Sequence, residues 1–201
     1  MSIPIIGLTG QSGAGKTTVC SKLVSWGFYN IDGDVLAREV VKKGSPVLKK
    51  LSKSFGTDII NFDGTLNRSL LASRAFESAE KTNLLNSITH PAITKRVSDE
   101  IGYAISKNYR AVVIDAAALL ESEITGFCDL IVSVVAPREV RLERILARDK
   151  ITLPEAMIRV AAQKDEQYYR SKSDIIIRNY PPHKIDDEIK GLIDYVRKRE
   201  N

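Results

Sequence analysis

One stretch restricts this chain more than any other: Gly10-Gln11-Ser12-Gly13-Ala14-Gly15-Lys16-Thr17. It fits G-x-x-x-x-G-K-[ST], the pattern of a phosphate-binding loop. Ile3-Pro4-Ile5-Ile6-Gly7-Leu8 precedes it, short, apolar and rich in β-branched residues, and predicts a buried strand. In Thr18-Val19-Cys20-Ser21-Lys22-Leu23-Val24, which follows, Val19, Leu23 and Val24 fall at helical spacing. Strand, loop and helix form the context the motif requires. Glycines let the backbone fold around an anion and turn several N–H groups inward. The helix N-terminus adds a positive dipole end. Ser12, Gly13, Ala14, Gly15, Lys16, Thr17 and Thr18 are therefore candidate contacts to the phosphates of ATP. Lys16 is expected to reach the β- and γ-phosphates, and the Thr17 hydroxyl to ligate magnesium.

The first helix is predicted from residue 15 to about residue 26, with Gly27 ending it. Phe28-Tyr29-Asn30-Ile31-Asp32 then reads as a second strand. A strand–helix–strand unit makes the two strands parallel. Their C-terminal ends share one edge, where ligands bind in such sheets. Asp32 and Asp34 should arrive at that edge, and an extended backbone points both carboxylates to one side. Such a pair suits magnesium coordination and general-base work. The same residues also fit a polar strand-to-helix turn capped by Asp34.

Residues 35–108 are mostly helical in pattern. Gly44-Ser45-Pro46 ends one amphipathic stretch, and residues 47–55 form another. Asp63-Gly64-Thr65 predicts a turn, and His90-Pro91 is expected to interrupt a helix that resumes through residues 93–105. This is long for a simple crossover, so it reads as a helical insertion that holds the acceptor, with Arg68 and His90 as its substrate contacts. A surface role for Arg68 and a helix-junction role for His90 fit as well. Arg110-Ala111-Val112-Val113-Ile114-Asp115 and Leu130-Ile131-Val132-Ser133-Val134-Val135 predict two more buried strands. Asp115 closes the first, where phosphate-loop enzymes often place a carboxylate that holds the metal through water. A helical stretch follows with Arg138, Arg141, Arg144 and Arg148. Thr152 and Glu155 then form a capping box that starts a helix expected to carry Arg159, Gln163 and Arg170. Clustered arginines there suit a mobile lid that closes on phosphates, or simply a solvated charged face. A last strand over residues 174–179 is broken by Pro181-Pro182, and residues 185–199 form an amphipathic terminal helix.

At 201 residues the chain is one domain, or one domain with insertions. The formal net charge of +5 fits a polyanionic small substrate or weak nucleic-acid binding, and also an ordinary surface. An aromatic content of 6% offers little stacking surface for bases, so no nucleic-acid partner is expected. Cys20 and Cys128 form no C-x-x-C and read as two buried, reduced thiols. Met1-Ser2-Ile3-Pro4 lacks the basic start and apolar run of a signal peptide. No run approaches the ~18 apolar residues of a membrane span. A cytoplasmic location without membrane attachment is the expectation.

The motifs together resemble the dephospho-CoA kinase family across nearly the whole chain. Gly7-Leu8-Thr9-Gly10-x-x-Gly13-x-Gly15-Lys16-Thr17-Thr18-Val19 looks like that family's opening. Ile31-Asp32-Gly33-Asp34 matches its D-A-D signature, with Gly33 in place of alanine. Gly44-Ser45-Pro46, Arg68, Leu85-Asn86-x-Ile88-x-His90-Pro91 and Asp115-x-x-x-Leu119-x-Glu121 also match. So do Arg144, Arg148, Gln163 and Ser173-Asp174-x-x-Ile177-x-Asn179. Ala117 and Ala118 stand where the family has proline and leucine, and Arg178 where an aspartate is common.

The resemblance implies an α/β phosphate-loop NTP hydrolase/kinase fold, a parallel sheet flanked by helices. It implies a nucleotide core over about residues 1–34, 109–140 and 173–201, a helical acceptor-binding insertion over about 35–108, and a lid over about 141–172. The implied activity moves the ATP γ-phosphoryl group to the 3′-hydroxyl of dephospho-CoA, with magnesium. Lys16, Asp32, Asp34, Arg144 and Arg148 would be catalytic. The loop, Arg148 and Asn179 would bind ATP, and Asp34, Arg68, His90 and Glu121 the acceptor. Thr17, Asp34 and Asp115 would serve the metal, in a monomer or weak homo-oligomer. Nucleoside and shikimate kinases are the rivals within this chemistry. A GTPase-type switch needs an Asn-Lys-x-Asp motif, which the chain lacks.

Overall fold

The structure is a computed structural model that describes residues 3–200. Met1 and Ser2, part of the segment read as lacking a signal peptide, lie outside the described residues. The chain divides into two compact units: residues up to Asp32 together with those from Ile101 onward, and Gly33–Glu100.

The first unit is built on a five-stranded parallel sheet in the order β2-β3-β1-β4-β5. Its strands are β1 (Ile5–Gly10), β2 (Phe28–Asp32), β3 (Ala111–Asp115), β4 (Leu130–Val135) and β5 (Ile175–Arg178). β1 sits at the centre and pairs with β3 and β4, in register Ile6↔Val113 and Gly7↔Ile131. That position explains its near-continuous apolar run, since a central parallel strand is covered on both faces. The expected parallel sheet flanked by helices is therefore present. Ile6, Leu8, Val113 and Val132 are fully buried with Val19 and Leu23 of α1 (Lys16–Ser25). Ile189, Leu192 and Val196 join the same cluster. Gly7 is a required absence of side chain: a Cβ there would lie 2.6 Å from Leu119 and 2.8 Å from the Cys128 sulfur.

The second unit holds α2 (Gly33–Glu39), α3 (Pro46–Phe55), α4 (Arg68–Ala75) and most of α5 (Ala79–Ser106). Ser45 caps α3 by accepting from the Leu48 N–H at 3.0 Å, and Pro46 begins it. Asn67 caps α4 through the Leu70 N–H at 3.1 Å. The Asp63 turn forms, its carboxylate accepting from the Thr65 N–H at 2.9 Å. Leu51, Ile59 and Ala75 are completely buried at the centre of this unit.

Three expectations change. His90-Pro91 does not interrupt the helix: α5 runs unbroken for 28 residues with Pro91 inside it. An internal proline costs about 3 kcal/mol. Ile88, Ala92 and Ile93 pack on one apolar cluster across the proline and offset that cost. Asp32 and Asp34 do not share an extended segment, because the backbone turns helical at Gly33. Asp32 ends β2 and Asp34 lies in the first turn of α2, inside the helix and not as its cap. Finally, after α6 (Arg138–Asp149), α7 (Leu153–Ala161) stops before Gln163, and Arg170 belongs to α8 (Glu166–Ser171). Asp165 starts that separate helix by accepting from the Tyr168 N–H at 2.8 Å. The expected capping box forms at Thr152 and Glu155, the Glu155 carboxylate accepting from the Thr152 N–H at 2.8 Å. The terminal helix α9 (Ile185–Glu200) completes the first unit.

Candidate active site

β1 delivers the glycine-rich loop to the C-terminal edge of the sheet, and α1 begins immediately after it. Gly13 and Gly15 have φ of +79° and +96°, left-handed backbone that side chains resist. The loop is held from outside by its carbonyls. Arg144 donates to the carbonyls of Gly13 at 3.3 Å, Ala14 at 3.2 Å and Asn179 at 2.8 Å. The Asn179 side-chain amide donates to the Ala14 carbonyl at 2.9 Å. In a trans peptide the carbonyl and the following N–H point in opposite directions. Drawing the Ala14 carbonyl toward Arg144 and Asn179 therefore turns the Gly15 N–H to the opposite side of the peptide.

Lys16 forms an ion pair with Asp115 at the end of β3. Both side chains are mostly sheltered, at 20% and 13% exposure, so the pair is preorganised and not a solvated surface contact. Asp32 is the direct register partner of Asp115 across β2 and β3. Two carboxylates and a lysine thus gather beside the loop. Cys20, one helical turn after Lys16, lies buried below them, and its thiol is pushed up to about 11, first by burial and then by the Asp115 charge. Cys128 is only half-buried, in contrast to the expectation, although burial pushes its thiol up to about 12. Thr17 is exposed in the first turn of α1.

The remaining sequence-predicted residues divide. Glu121 accepts from the Tyr168 hydroxyl at 2.7 Å, which pushes that phenol up to about 12. Arg148 pairs with Asp149 at 2.6 Å and stands exposed. Asp34, Arg68 and His90 lie in the second unit. Asp34 and His90 are half-buried there, and Arg68 is the exposed first residue of α4.

Sequence reasoning missed three contacts. The Gln163 side-chain oxygen accepts from the Ser12 N–H at 3.0 Å and from Arg141 at 3.0 Å. The Gln11 side-chain amide donates to the Lys164 carbonyl at 3.2 Å. The signal present was Arg141 at i−4 from Ile145, a charged residue in line with a core position; it is 6% exposed.

The family model for dephospho-CoA kinase matches residues 4–183. The chain belongs to the dephospho-CoA kinase family. A dephospho-CoA kinase of Corynebacterium efficiens is 40% identical over 177 residues, 88% of each chain. The crystal structure of TT1252 from Thermus thermophilus superposes with a TM-score of 0.78 at 27% identity, covering 98% of each chain. Dephospho-CoA kinase from Campylobacter jejuni shares the fold, with a TM-score of 0.58 at 22% identity over 98% of each chain. The part of the chain that matches the dephospho-CoA kinase family contains the whole loop, Asp32, Asp34, Asp115 and Asn179. Among the described residues, no helix is long and apolar enough to cross a membrane.

Proposed function

We infer that the protein is an ATP-dependent kinase that phosphorylates the 3′-hydroxyl of dephospho-CoA, giving coenzyme A and ADP. The observation that carries this reading is the loop, braced through its carbonyls by Arg144 and Asn179, with Lys16 and Asp115 beside it, in a chain of the dephospho-CoA kinase family. The acceptor 3′-oxygen forms a bond to the γ-phosphorus, the bond from that phosphorus to the β–γ bridging oxygen breaks, and the acceptor proton leaves. Our proposal gives that proton to Asp34. Asp32, at the strand end two residues earlier, assists the metal or orients the acceptor in this proposal.

Lys16 holds positive charge where the transferred group becomes more negative, and in a sheltered site such preorganised charge is worth several kcal/mol. Asp115 fixes the ammonium group before ATP arrives. Among the described residues, no three acidic, histidine or cysteine side chains cluster as an all-protein metal cage. The donor set of Thr17 hydroxyl and Asp115 carboxylate fits magnesium, which keeps waters and takes its other oxygens from phosphates. When bound, magnesium neutralises charge on the β- and γ-oxygens. Arg68, His90 and Glu121 are proposed acceptor contacts, Arg68 suiting the pyrophosphate of dephospho-CoA as a bidentate donor. Arg148 is proposed to exchange Asp149 for phosphate when the arginine-bearing segment around it closes on ATP and excludes water.

The test is ADP release from ATP and magnesium with dephospho-CoA, adenosine, AMP, pantothenate or shikimate as acceptor. Turnover with dephospho-CoA alone, with product heavier by one phosphate group, is the expected result. Preference for adenosine or shikimate, or hydrolysis indifferent to the acceptor, overturns the reading.

A further inference from the structure

The phosphate loop is bonded on its upstream limb to a turn far away in sequence. Ser12 gives its N–H to Gln163, 151 residues distant, and Gln11 gives its side-chain amide to the neighbouring Lys164 carbonyl. Two consecutive loop residues thus bond to two consecutive residues of the turn between α7 and α8. Arg141 of α6 completes the cluster by donating to the same Gln163 oxygen. Its backbone also abuts the loop: a Cβ on Gly13 would stand 2.6 Å from the Arg141 carbonyl oxygen.

Stability alone does not explain this cluster. Gln11 and Arg141 are 4% and 6% exposed. The Gln11 side-chain oxygen and the Arg141 Nε are buried without a hydrogen-bond partner among the described residues. Each such group is destabilising, and an apolar pair of the same shape avoids the penalty. What the polar arrangement provides is direction. Gln163 offers one oxygen with two donors converging on it, and only an acceptor at that point holds the Ser12 N–H and the guanidinium together. Burial of Arg141 depresses its pKa, yet its ordinary value is so high that it stays charged, so the bond to Gln163 is charge-assisted.

We propose that Gln163 is a positioning residue for ATP: its side-chain oxygen fixes the entry limb of the phosphate loop, so that the N–H groups of Gly13, Gly15, Lys16 and Thr17 are arranged for phosphate before the nucleotide binds, while those of Ala14 and Thr18 donate to the Gln11 and Gly15 carbonyls. The proposal rests on the reading that the loop holds ATP. Gln163 touches neither the nucleotide nor the acceptor in this role, and it acts through Ser12. Without it, the loop must be ordered at the expense of ATP binding, and affinity falls.

Two variants separate the acceptor atom from the packing. Gln163→Met keeps the length and removes the acceptor. Gln163→Glu keeps an acceptor oxygen, which Arg141 and the Ser12 N–H both engage. The measurement is the ATP dissociation constant by calorimetry, with magnesium, alongside thermal melting and the KM values for both substrates. Losing one directed hydrogen bond predicts an increase of roughly three- to tenfold in the ATP dissociation constant for Gln163→Met. The KM for dephospho-CoA and the far-ultraviolet spectrum should not change, and Gln163→Glu should restore binding to within about twofold of wild type. Wild-type affinity in Gln163→Met, or equal weakening in both variants, overturns the proposal. Failure of the wild-type protein itself to bind ATP would overturn the reading of the loop instead.

Discussion

Replacing Gly13 by alanine should damage the protein through two separable effects. The first is local: φ is +79°, and a side chain in left-handed backbone costs about 1–2 kcal/mol. The second is tertiary. The added Cβ meets the Arg141 carbonyl oxygen at 2.6 Å and the Arg141 Cα at 3.0 Å. These are backbone atoms of a helix, so no rotamer change relieves them. The loop and α6 must separate, an overpacking penalty of about 1–3 kcal/mol. Together the two effects come to about 2–5 kcal/mol. For a chain of this length that lowers Tm on the order of 10 °C. Gly44→Ala supplies the control. Its φ is +78°, nearly the same, and nothing lies within 4 Å of its added Cβ. Only the backbone cost of about 1–2 kcal/mol applies there. Thermal melts by circular dichroism on both variants, with ATP titrations, isolate the steric part as the difference between them. Gly13→Ala should also weaken ATP binding, because the displaced loop is the one that holds phosphate. A Tm loss in Gly13→Ala no larger than in Gly44→Ala would refute the claim that the loop is packed against α6.

Lys16→Ala should keep its circular dichroism spectrum and lose at least about a hundredfold in kcat, since it removes preorganised charge at the transferred phosphoryl group; near-wild-type turnover in a folded variant counts against the loop assignment. Asp34→Asn should lose kcat while ATP affinity is retained, and a crippled Asp32→Asn beside an active Asp34→Asn reverses their proposed roles. Gly102, in the interior of α5, has nothing within 4 Å of an added Cβ. Gly102→Ala should therefore stabilise by about 0.5–1 kcal/mol in urea unfolding, and a destabilised variant contradicts the open space around it. Burial, the largest cause, raises the Cys20 thiol from 9.0 to about 11, so the folded state keeps its proton where the unfolded chain releases it. The contribution to stability is complete below about pH 9 and declines as pH rises toward 11. At pH 8 native Cys20 and Cys128 should react with Ellman's reagent far more slowly than the urea-unfolded chain, and fast native labelling of either disproves the burial assigned to it.

The division between what the sequence discloses and what it hides follows the range of the forces involved. The strands β1, β3 and β4 are legible because a parallel strand covered on both faces must be apolar along its whole length, and that is a local pattern. The glycine positions of the loop are legible for a similar reason: left-handed backbone is a property of single residues. Asp115 is legible because a carboxylate closes an apolar run. The continuity of α5 is not, because the local rule at Pro91 points to a break and only the cluster around Ile88, Ala92 and Ile93 decides otherwise. The sidedness of Asp32 and Asp34 fails at the same level, since it presumed an extended chain one residue past the point where α2 begins.

The bracing of the loop is the furthest from sequence legibility. Ala14 and Asn179 are 165 residues apart, and Ser12 and Gln163 are 151 apart. The residues concerned are one asparagine, one glutamine and two arginines among many polar side chains. Apart from Arg141, in line with Ile145, no periodicity marks them, because they act by directed hydrogen bonds and not by lying on a face. A glycine-rich loop without such partners remains free to move, and an ordered anion site requires that freedom to be removed. The motif therefore specifies which backbone shapes the loop is able to adopt. The partners drawn from α6, the α7–α8 turn and the end of β5 select one of those shapes by engaging the Gly13 and Ala14 carbonyls and the Ser12 N–H.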